Sequence, residues 1–206
     1  MKVLLVNGSP HEKGCTYTGL QEIARVLKDE GVDSEIFWIG TEAIAGCTGC
    51  GGCGQTGRCV IDDSVNAFLE KAEKADGFVF GTPVHFASAG GAITAFMDRA
   101  FCSKASIYLG KPAAAIASCR RGGATAALDQ TNKYFPICGM PMVPSQYWNM
   151  IHGSKPEDVQ KDEEGMQTMR TLARNMAWMI KCFKAGEEAG ILYPERETPI
   201  KTNYIR

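Results

Sequence analysis

Four cysteines fall within thirteen residues, and their spacing is the strongest chemical signal in the sequence. Cys47, Cys50, Cys53 and Cys59 follow the pattern C-x2-C-x2-C-x5-C, with glycines between and around them. Thiolates at this spacing on a flexible backbone can converge on one soft metal centre. Overlapping C-x2-C steps are typical of iron–sulfur clusters rather than of structural zinc sites. The run therefore predicts one 4Fe-4S cluster held by all four cysteines, with a structural zinc ion or free reduced thiols as the alternatives.

A second signal lies in residues 7–16, between a short apolar strand at 2–6 and a helical pattern at 16–30. A polar loop that leads from a strand into a helix can bind phosphate, because the free N–H groups of the first turn point at the anion. Ser9 and Thr16 add hydroxyl donors. The loop is neither a Walker loop nor a G-x-G-x-x-G turn. An ordinary strand–helix connection is the alternative interpretation.

The elements around these segments alternate between strand and helix, which predicts an α/β fold with a parallel sheet. Loops 7–16, 81–88 and 118–123 each follow a strand, so we expect them to meet at one edge of the sheet. Asp62 or Asp63 is expected to cap a short helix. The predicted strands are 2–6, 33–39, 77–80, 113–117 and 140–143, and the later helices are 90–101, 124–135 and 156–184.

Composition limits the class of protein. The chain has 206 residues, a net charge of −1 and nine cysteines. Because there is no basic stripe and no long apolar run, we expect no nucleic-acid partner, no membrane association and a cytoplasmic location. We expect a single domain over residues 1–190 with a cysteine-rich insert at 46–60. Residues 191–206 are expected to form an extended arm that reaches a partner subunit.

Taken together, the motifs resemble the NADPH-dependent FMN reductase family, and within it the iron–sulfur flavoproteins. The resemblance covers nearly the whole chain. It rests on Asn-Gly-Ser-Pro at 7–10 with Gly-Cys-Thr at 14–16, on Gly-Thr-Pro-Val-His-Phe at 81–86, and on the cysteine run. It implies a flavodoxin-like, doubly wound sheet of five parallel strands in the order 2-1-3-4-5.

The resemblance also implies that FMN is a cofactor and assigns its contacts to the three strand-end loops. Two positions depart from the family pattern: Cys15 stands where asparagine is usual, and His85 where many relatives have tyrosine. The implied phosphate contacts are Ser9, His11, Gly14, Cys15 and Thr16. The implied ring contacts are Thr82, Pro83, Val84, His85 and Phe86 on one side, and Ser118, Cys119, Arg120, Arg121, Gly122 and Gly123 on the other.

The resulting hypothesis is an FMN-dependent oxidoreductase that moves electrons between NAD(P)H or a ferredoxin-type donor and a small acceptor. No side chain is expected to act as a catalytic acid or base, because the cofactors carry the chemistry. The alternatives are a cluster-free NAD(P)H-dependent FMN, quinone, azo or nitro reductase, a non-catalytic flavodoxin-type electron carrier, and a redox-sensing module. A homodimer or homotetramer is expected, with a small molecule or a redox protein such as ferredoxin as partner.

Overall fold

The computed structural model describes residues 1–200 and residue 202. Its core is a sheet in which five parallel strands lie in the order β2-β1-β3-β5-β6, and β4 forms an antiparallel hairpin with β3. Counted among the parallel strands alone, this is the predicted order 2-1-3-4-5. The strands are β1 (Lys2–Asn7), β2 (Asp33–Trp38), β3 (Gly77–His85), β4 (Ser88–Ala89), β5 (Ala113–Cys119) and β6 (Met150–His152).

Helices cover both faces of the sheet, which confirms the doubly wound arrangement. Helices α1 and α8 pack on one face over an aliphatic and methionine core, and α3, α4 and α5 cover the other face over an aromatic core. The helices are α1 (Cys15–Asp29), α2 (Cys53–Thr56), α3 (Ser64–Ala72), α4 (Gly91–Ser103), α5 (Ala124–Asn132), α6 (Tyr134–Ile137), α7 (Pro156–Val159) and α8 (Glu163–Glu188), with a 3-10 turn at Ala105–Tyr108.

The fifth parallel strand was predicted at the wrong place. Residues 140–143 contribute only an isolated bridge between Met142 and Ala113 at the start of β5. Pro144 has no backbone N–H, so the ladder cannot continue there. The chain leaves the sheet and returns at β6, which pairs with the end of β5.

Three other elements differ from the prediction by more than two residues. Strand β3 extends to His85, so most of the expected 81–88 loop is strand and hairpin. The last helix is divided into α7 and α8, because the Asp162 carboxylate accepts the N–H of Gly165 and starts a new helix. The 124–135 helix likewise ends at Asn132, before α6. Asp63 is the observed cap of α3, where it accepts the N–H of Val65 at 3.0 Å.

The methionine stripe of α8 lies in the core, where Met169 and Met176 are fully buried. No helix among residues 1–200 and 202 is long and apolar enough to span a membrane. Residues 191–200 lie outside regular secondary structure and are exposed. The remainder of the predicted arm, residues 201 and 203–206, lies outside the described residues, and its contact with a partner subunit stays a prediction.

Candidate functional site

The loop after β1 is held by hydrogen bonds from its own side chains and from Trp38 of β2. The Asn7 amide accepts the backbone N–H of Ser9 at 3.1 Å and donates to the Glu12 carbonyl at 2.9 Å. The Ser9 hydroxyl accepts the N–H of His11, and the indole of Trp38 donates to the Ser9 carbonyl at 2.8 Å. This network fixes the path of the chain up to the start of α1.

Helix α1 begins without a cap among the described side chains. Its N-cap, Gly14, is extended, and the first intrahelical bond runs from the Thr18 N–H to the Gly14 carbonyl. The first-turn N–H groups therefore lack intrahelical partners, and the first turn itself contains no acidic residue. A side chain at Gly14 would place its Cβ 2.9 Å from the Cβ of His11, so the loop closes tightly against the helix. An uncapped helix end with these properties suits an anion.

Cys15 is a neutral thiol in this region. Its Sγ donates to the Gly153 carbonyl at 3.6 Å. Burial raises the pKa of the Cys15 thiol, and the carboxylates of Asp158 and Glu157 add to the effect. A protonated thiol at the helix N-terminus adds no charge that would oppose a phosphate.

The end of β3 forms a strained hairpin. Phe86 and Ala87 have φ of 49° and 58°, and together they make the two-residue turn between β3 and β4. Such turns usually contain Asn-Gly, because the left-handed conformation is energetically unfavourable for most other residues. The Phe86 ring is fully exposed, and His85 is exposed beside it. Thr82 faces inward, where its hydroxyl accepts the Gly90 N–H and donates to the Pro83 carbonyl.

The loop after β5 packs directly against that hairpin. Gly123 has φ of +91°, and a Cβ there would lie 2.6 Å from the Cα of Ala87, so only glycine fits. Arg120 and Arg121 are exposed and form no ion pair with any described residue. The Cys119 side chain is buried against the aromatic core, and the backbone N–H groups of Arg121 and Ala124 donate hydrogen bonds to its sulfur.

The three loops contact each other, as the sequence predicted. The hydroxyls of Thr16 and Ser118 are 2.7 Å apart, and the Gly8 N–H donates to the Gly81 carbonyl at 2.9 Å. Gly81 leaves no room for a side chain, because its Cβ would lie 2.7 Å from Thr16. The start of α1, the exposed Arg120 and Arg121 and the exposed Phe86 ring thus border one edge of the sheet, and these residues fit a flavin mononucleotide. Which of them contact it stays a prediction.

The cysteine loop forms a second site. A cavity of about 150 Å³ is lined by all four predicted cysteines. Cys47 and Cys50 are exposed, whereas Cys53 and Cys59 are half-buried. A hydrogen bond from the Gly52 N–H, and a second from the Thr48 hydroxyl, lower the pKa of the Cys50 thiol. Within the described residues no three acidic, histidine or cysteine side chains are arranged as around a bound ion. The all-sulfur donor set around one cavity nevertheless fits an iron–sulfur cluster.

Two residues of α4 complete this site and were not predicted. Cys102 and the buried Arg99 line the same cavity. The Arg99 Nε donates to the Cys59 Sγ at 3.2 Å, while its two terminal nitrogens bind the Asp63 carboxylate at 2.6 and 3.0 Å. The available signal was position: Arg99 lies three residues after Phe96, on the buried stripe of the helix. Cys102 follows one turn later, on the same side.

Asn66 fixes the last cysteine of the run. Its amide accepts the Cys59 N–H and donates to the Cys59 carbonyl, both at 2.9 Å. The Asn66 side chain is buried, and Arg99 contacts the Cys59 sulfur from α4. Cys59 is therefore positioned by partners on two helices, whereas Cys47 and Cys50 lie on the exposed part of the loop.

A larger cavity, of about 650 Å³, lies at the opposite edge of the sheet. It is bordered by the end of α8, by residues 191–193 and by Lys111, which precedes β5. The Lys111 ammonium donates to the carbonyls of Ala72 and Glu73, and burial lowers its pKa. This cavity lies beside the starts of β3 and β5, whereas the three loops follow the ends of the strands, so we take the loop edge as the candidate site.

The family model described as NADPH-dependent FMN reductase matches residues 1–155. The chain belongs to this family. An iron–sulfur flavoprotein of Methanocaldococcus jannaschii is 29% identical over 192 residues, which cover 89% of this chain and 100% of that protein. One of Archaeoglobus fulgidus is 28% identical over 187 residues, covering 85% of this chain and 95% of the relative.

Solved structures agree on the fold. RosB, solved with bound 8-demethyl-8-formylriboflavin-5'-phosphate, superposes with a TM-score of 0.70 at 13% identity and covers 100% of this chain and 92% of its own. An archaeal flavodoxin gives 0.59 at 16% identity, with coverage of 88% and 99%. This NADPH-dependent FMN reductase family member is thus an oxidoreductase with a flavodoxin-like fold, and its family supports a flavin cofactor.

Proposed function

We propose that the protein is an FMN-dependent oxidoreductase that moves electrons between NAD(P)H or a ferredoxin-type donor and a small acceptor, with a 4Fe-4S cluster held by Cys47, Cys50, Cys53 and Cys59. One observation carries the proposal: three strand-end loops touch each other around the uncapped start of α1. Bound FMN would supply the exchange of a hydride for single electrons. The protein has to bind the nucleotide, orient it and exclude water.

The phosphate is assigned to the start of α1. The first-turn N–H groups and the hydroxyls of Ser9 and Thr16 supply donors, with His11 on the rim. The Thr16 hydroxyl already shares a hydrogen bond with Ser118, so a phosphate that contacted Thr16 would also affect the loop after β5. Gly14 allows the close approach that backbone donors require.

The flavin ring is assigned to the space between the hairpin at 82–87 and the loop at 118–123. Backbone N–H groups there would stabilise negative charge on a reduced ring. Arg120 and Arg121 have no carboxylate partner among the described residues, and a planar guanidinium binds phosphate or a flavin carbonyl through paired hydrogen bonds. They are the proposed contacts for a nicotinamide phosphate or for the ring oxygens.

The cluster is assigned to the cysteine cavity. Four thiolates would hold it, and a cluster exchanges one electron at a time. Arg99 donates toward the Cys59 sulfur and the Gly52 N–H toward Cys50, so donors are already aimed at two of the four ligands. Hydrogen bonds of this kind raise the reduction potential of thiolate-ligated iron.

The test begins with protein purified without oxygen. Flavin absorption together with stoichiometric iron and sulfide supports both cofactors, and rapid bleaching of the flavin by NADPH or NADH in stopped flow supports a reductase. Flavin without iron would leave the cluster-free reductase. Flavin that neither nicotinamide reduces would exclude NAD(P)H as the donor and leave either a ferredoxin-type donor or a non-catalytic electron carrier. Protein that binds no FMN after reconstitution would refute the proposal.

A matched pair of variants tests the phosphate position. Cys15→Asp places a carboxylate at the first position of α1, where it would meet the phosphate, whereas Cys15→Ser has a similar size and no charge. Two like charges a few ångströms apart near a protein surface cost about 2–4 kcal/mol. We expect FMN to bind at least about tenfold more weakly to Cys15→Asp than to Cys15→Ser, because about 1.4 kcal/mol corresponds to a factor of ten. Equal affinities in fluorescence titrations would place the phosphate elsewhere.

A further inference from the structure

A fifth cysteine lies in the wall of the cysteine cavity. Cys102 is exposed in the last turn of α4 and lines the cavity with the four cysteines of the loop. Cys53 and Cys47 are among the cysteines that share this cavity wall with it. The Cys53 Sγ also donates to the Cys102 carbonyl at 3.8 Å. The C-x2-C-x2-C-x5-C run gives Cys102 no role, so its position calls for a separate account.

The two helices that carry Cys53 and Cys102 are held against each other. Cα atoms of α2 and α4 approach within 8 Å. At the other end of α2, a Cβ on Gly57 would be 3.6 Å from the side chain of Lys104, just past α4. Arg99 fixes the end of the loop from the preceding turn of α4. Because the Cys53 sulfur lies against the Cys102 carbonyl and both side chains line one cavity, these two cysteines are the pair best placed for a disulfide between the loop and α4.

We propose that Cys102 and Cys53 form a reversible disulfide, with hydrogen peroxide as the oxidant, whenever the cavity holds no metal. This inference rests on the proposed function, because Cys53 is one of the four proposed cluster ligands. The bridge would keep a ligand in a recoverable oxidation state while the cluster is absent. It would also prevent reassembly until a thiol reductant opens it.

The reaction balances with one peroxide for each disulfide. The Cys53 thiolate attacks one peroxide oxygen and the O–O bond breaks. The hydroxide that leaves takes up the proton that Cys53 had lost and departs as water. The resulting sulfenic acid is attacked by the Cys102 sulfur, the S–O bond breaks, and a second water leaves with the Cys102 proton. The two sulfurs lose two electrons and the peroxide is reduced to two waters.

The experiment uses the full-length protein. Anaerobically purified protein is stripped of metal by a chelator in the presence of reductant, freed of both, exposed to hydrogen peroxide, and quenched by alkylation. Peptide mapping by mass spectrometry then locates the disulfide. We expect the disulfide-linked Cys53–Cys102 peptide to dominate and to disappear on treatment with dithiothreitol. After that reduction, we expect iron and sulfide to reconstitute the cluster.

Two variants make the result specific. In Cys102→Ser we expect loss of the bridged peptide, further oxidation of Cys53 to sulfinic and sulfonic acid, and loss of the ability to rebuild the cluster after peroxide. Cys182→Ser is the control, since Cys182 is also exposed and lies on α8, away from the cavity. It should behave as the wild type does.

The outcomes separate this inference from the proposed function. A bridge between loop cysteines that excludes Cys102, or full recovery of Cys102→Ser after peroxide, would overturn the inference even if the cluster is present. Wild-type protein that never assembles a cluster would overturn the metal proposal, while the peptide map would still decide whether Cys53 and Cys102 pair.

Discussion

Replacing Arg99 with methionine should lower the free energy of unfolding by about 3 kcal/mol. The Arg99 side chain is 1% exposed, and it holds the Asp63 carboxylate, the Ile61 carbonyl and the Cys59 sulfur. Removing one partner of a buried ion pair costs about 3–5 kcal/mol. The lower end applies here because Asp63 is 26% exposed, so water can replace part of the lost interaction. Methionine fills most of the vacated volume, which keeps the cavity contribution small.

Urea unfolding followed by circular dichroism measures this change, with the metal content matched between proteins. Arg58→Met is the control: Arg58 also lies in the cysteine loop, but its pair with Glu70 is 51% and 64% exposed. Such surface pairs contribute less than about 1 kcal/mol. If Arg99→Met lowers the free energy of unfolding no more than Arg58→Met does, and the slope of that free energy against urea concentration is unchanged, the buried pair does not anchor the loop. Faster alkylation of Cys59 in Arg99→Met is the independent sign that the anchor has been lost.

Three further predictions concern the loops and the sheet. Replacing Phe86-Ala87 with Asn-Gly should raise the free energy of unfolding by about 1 kcal/mol or more, because the left-handed turn is then relaxed, and unchanged stability in urea would show that no strain is stored there. Gly123→Ala should destabilise by about 1–3 kcal/mol and weaken FMN binding, since its Cβ would collide with Ala87; an unaltered flavin titration would exclude a role for that contact. Hydrogen bonds from Lys2 and Lys71 hold the pKa of Glu35 below its usual 4.5. The Glu35 carboxylate therefore stabilises the fold above pH 4.5, and this contribution is lost as the pH falls through the lowered pKa. Glu35→Gln should therefore flatten the acid side of the stability profile, and a profile with an unchanged slope would contradict the assignment.

The strand order and the meeting of the three loops were predictable because their signals are local. Each loop follows a short apolar run, and parallel strands place their carboxyl ends at one edge whatever the detailed packing. The cysteine run could be recognised for the same reason, because its spacing lies within a few residues. The error in the fifth strand arose where residues 140–143 have strand character but Pro144 removes the N–H that would extend the ladder.

Arg99 and Cys102 could not be assigned from the sequence, because their roles depend on how α4 packs against a loop some forty to fifty residues earlier. Arg99 alone reads as one more charge in a helix. Only the fold brings its guanidinium to Asp63 and Cys59. Cys119, which the resemblance places at the cofactor, has a buried side chain, and its contact with the cofactor stays a prediction.

The hydrogen bond between Thr16 and Ser118 has a proton that either oxygen can supply. An anion at the start of α1 that accepted the Thr16 proton would leave Ser118 as the donor in this bond. Ser118 stands one residue before the buried Cys119 and two before Arg120. Filling one end of the cleft would then decide which hydroxyl donates at the other.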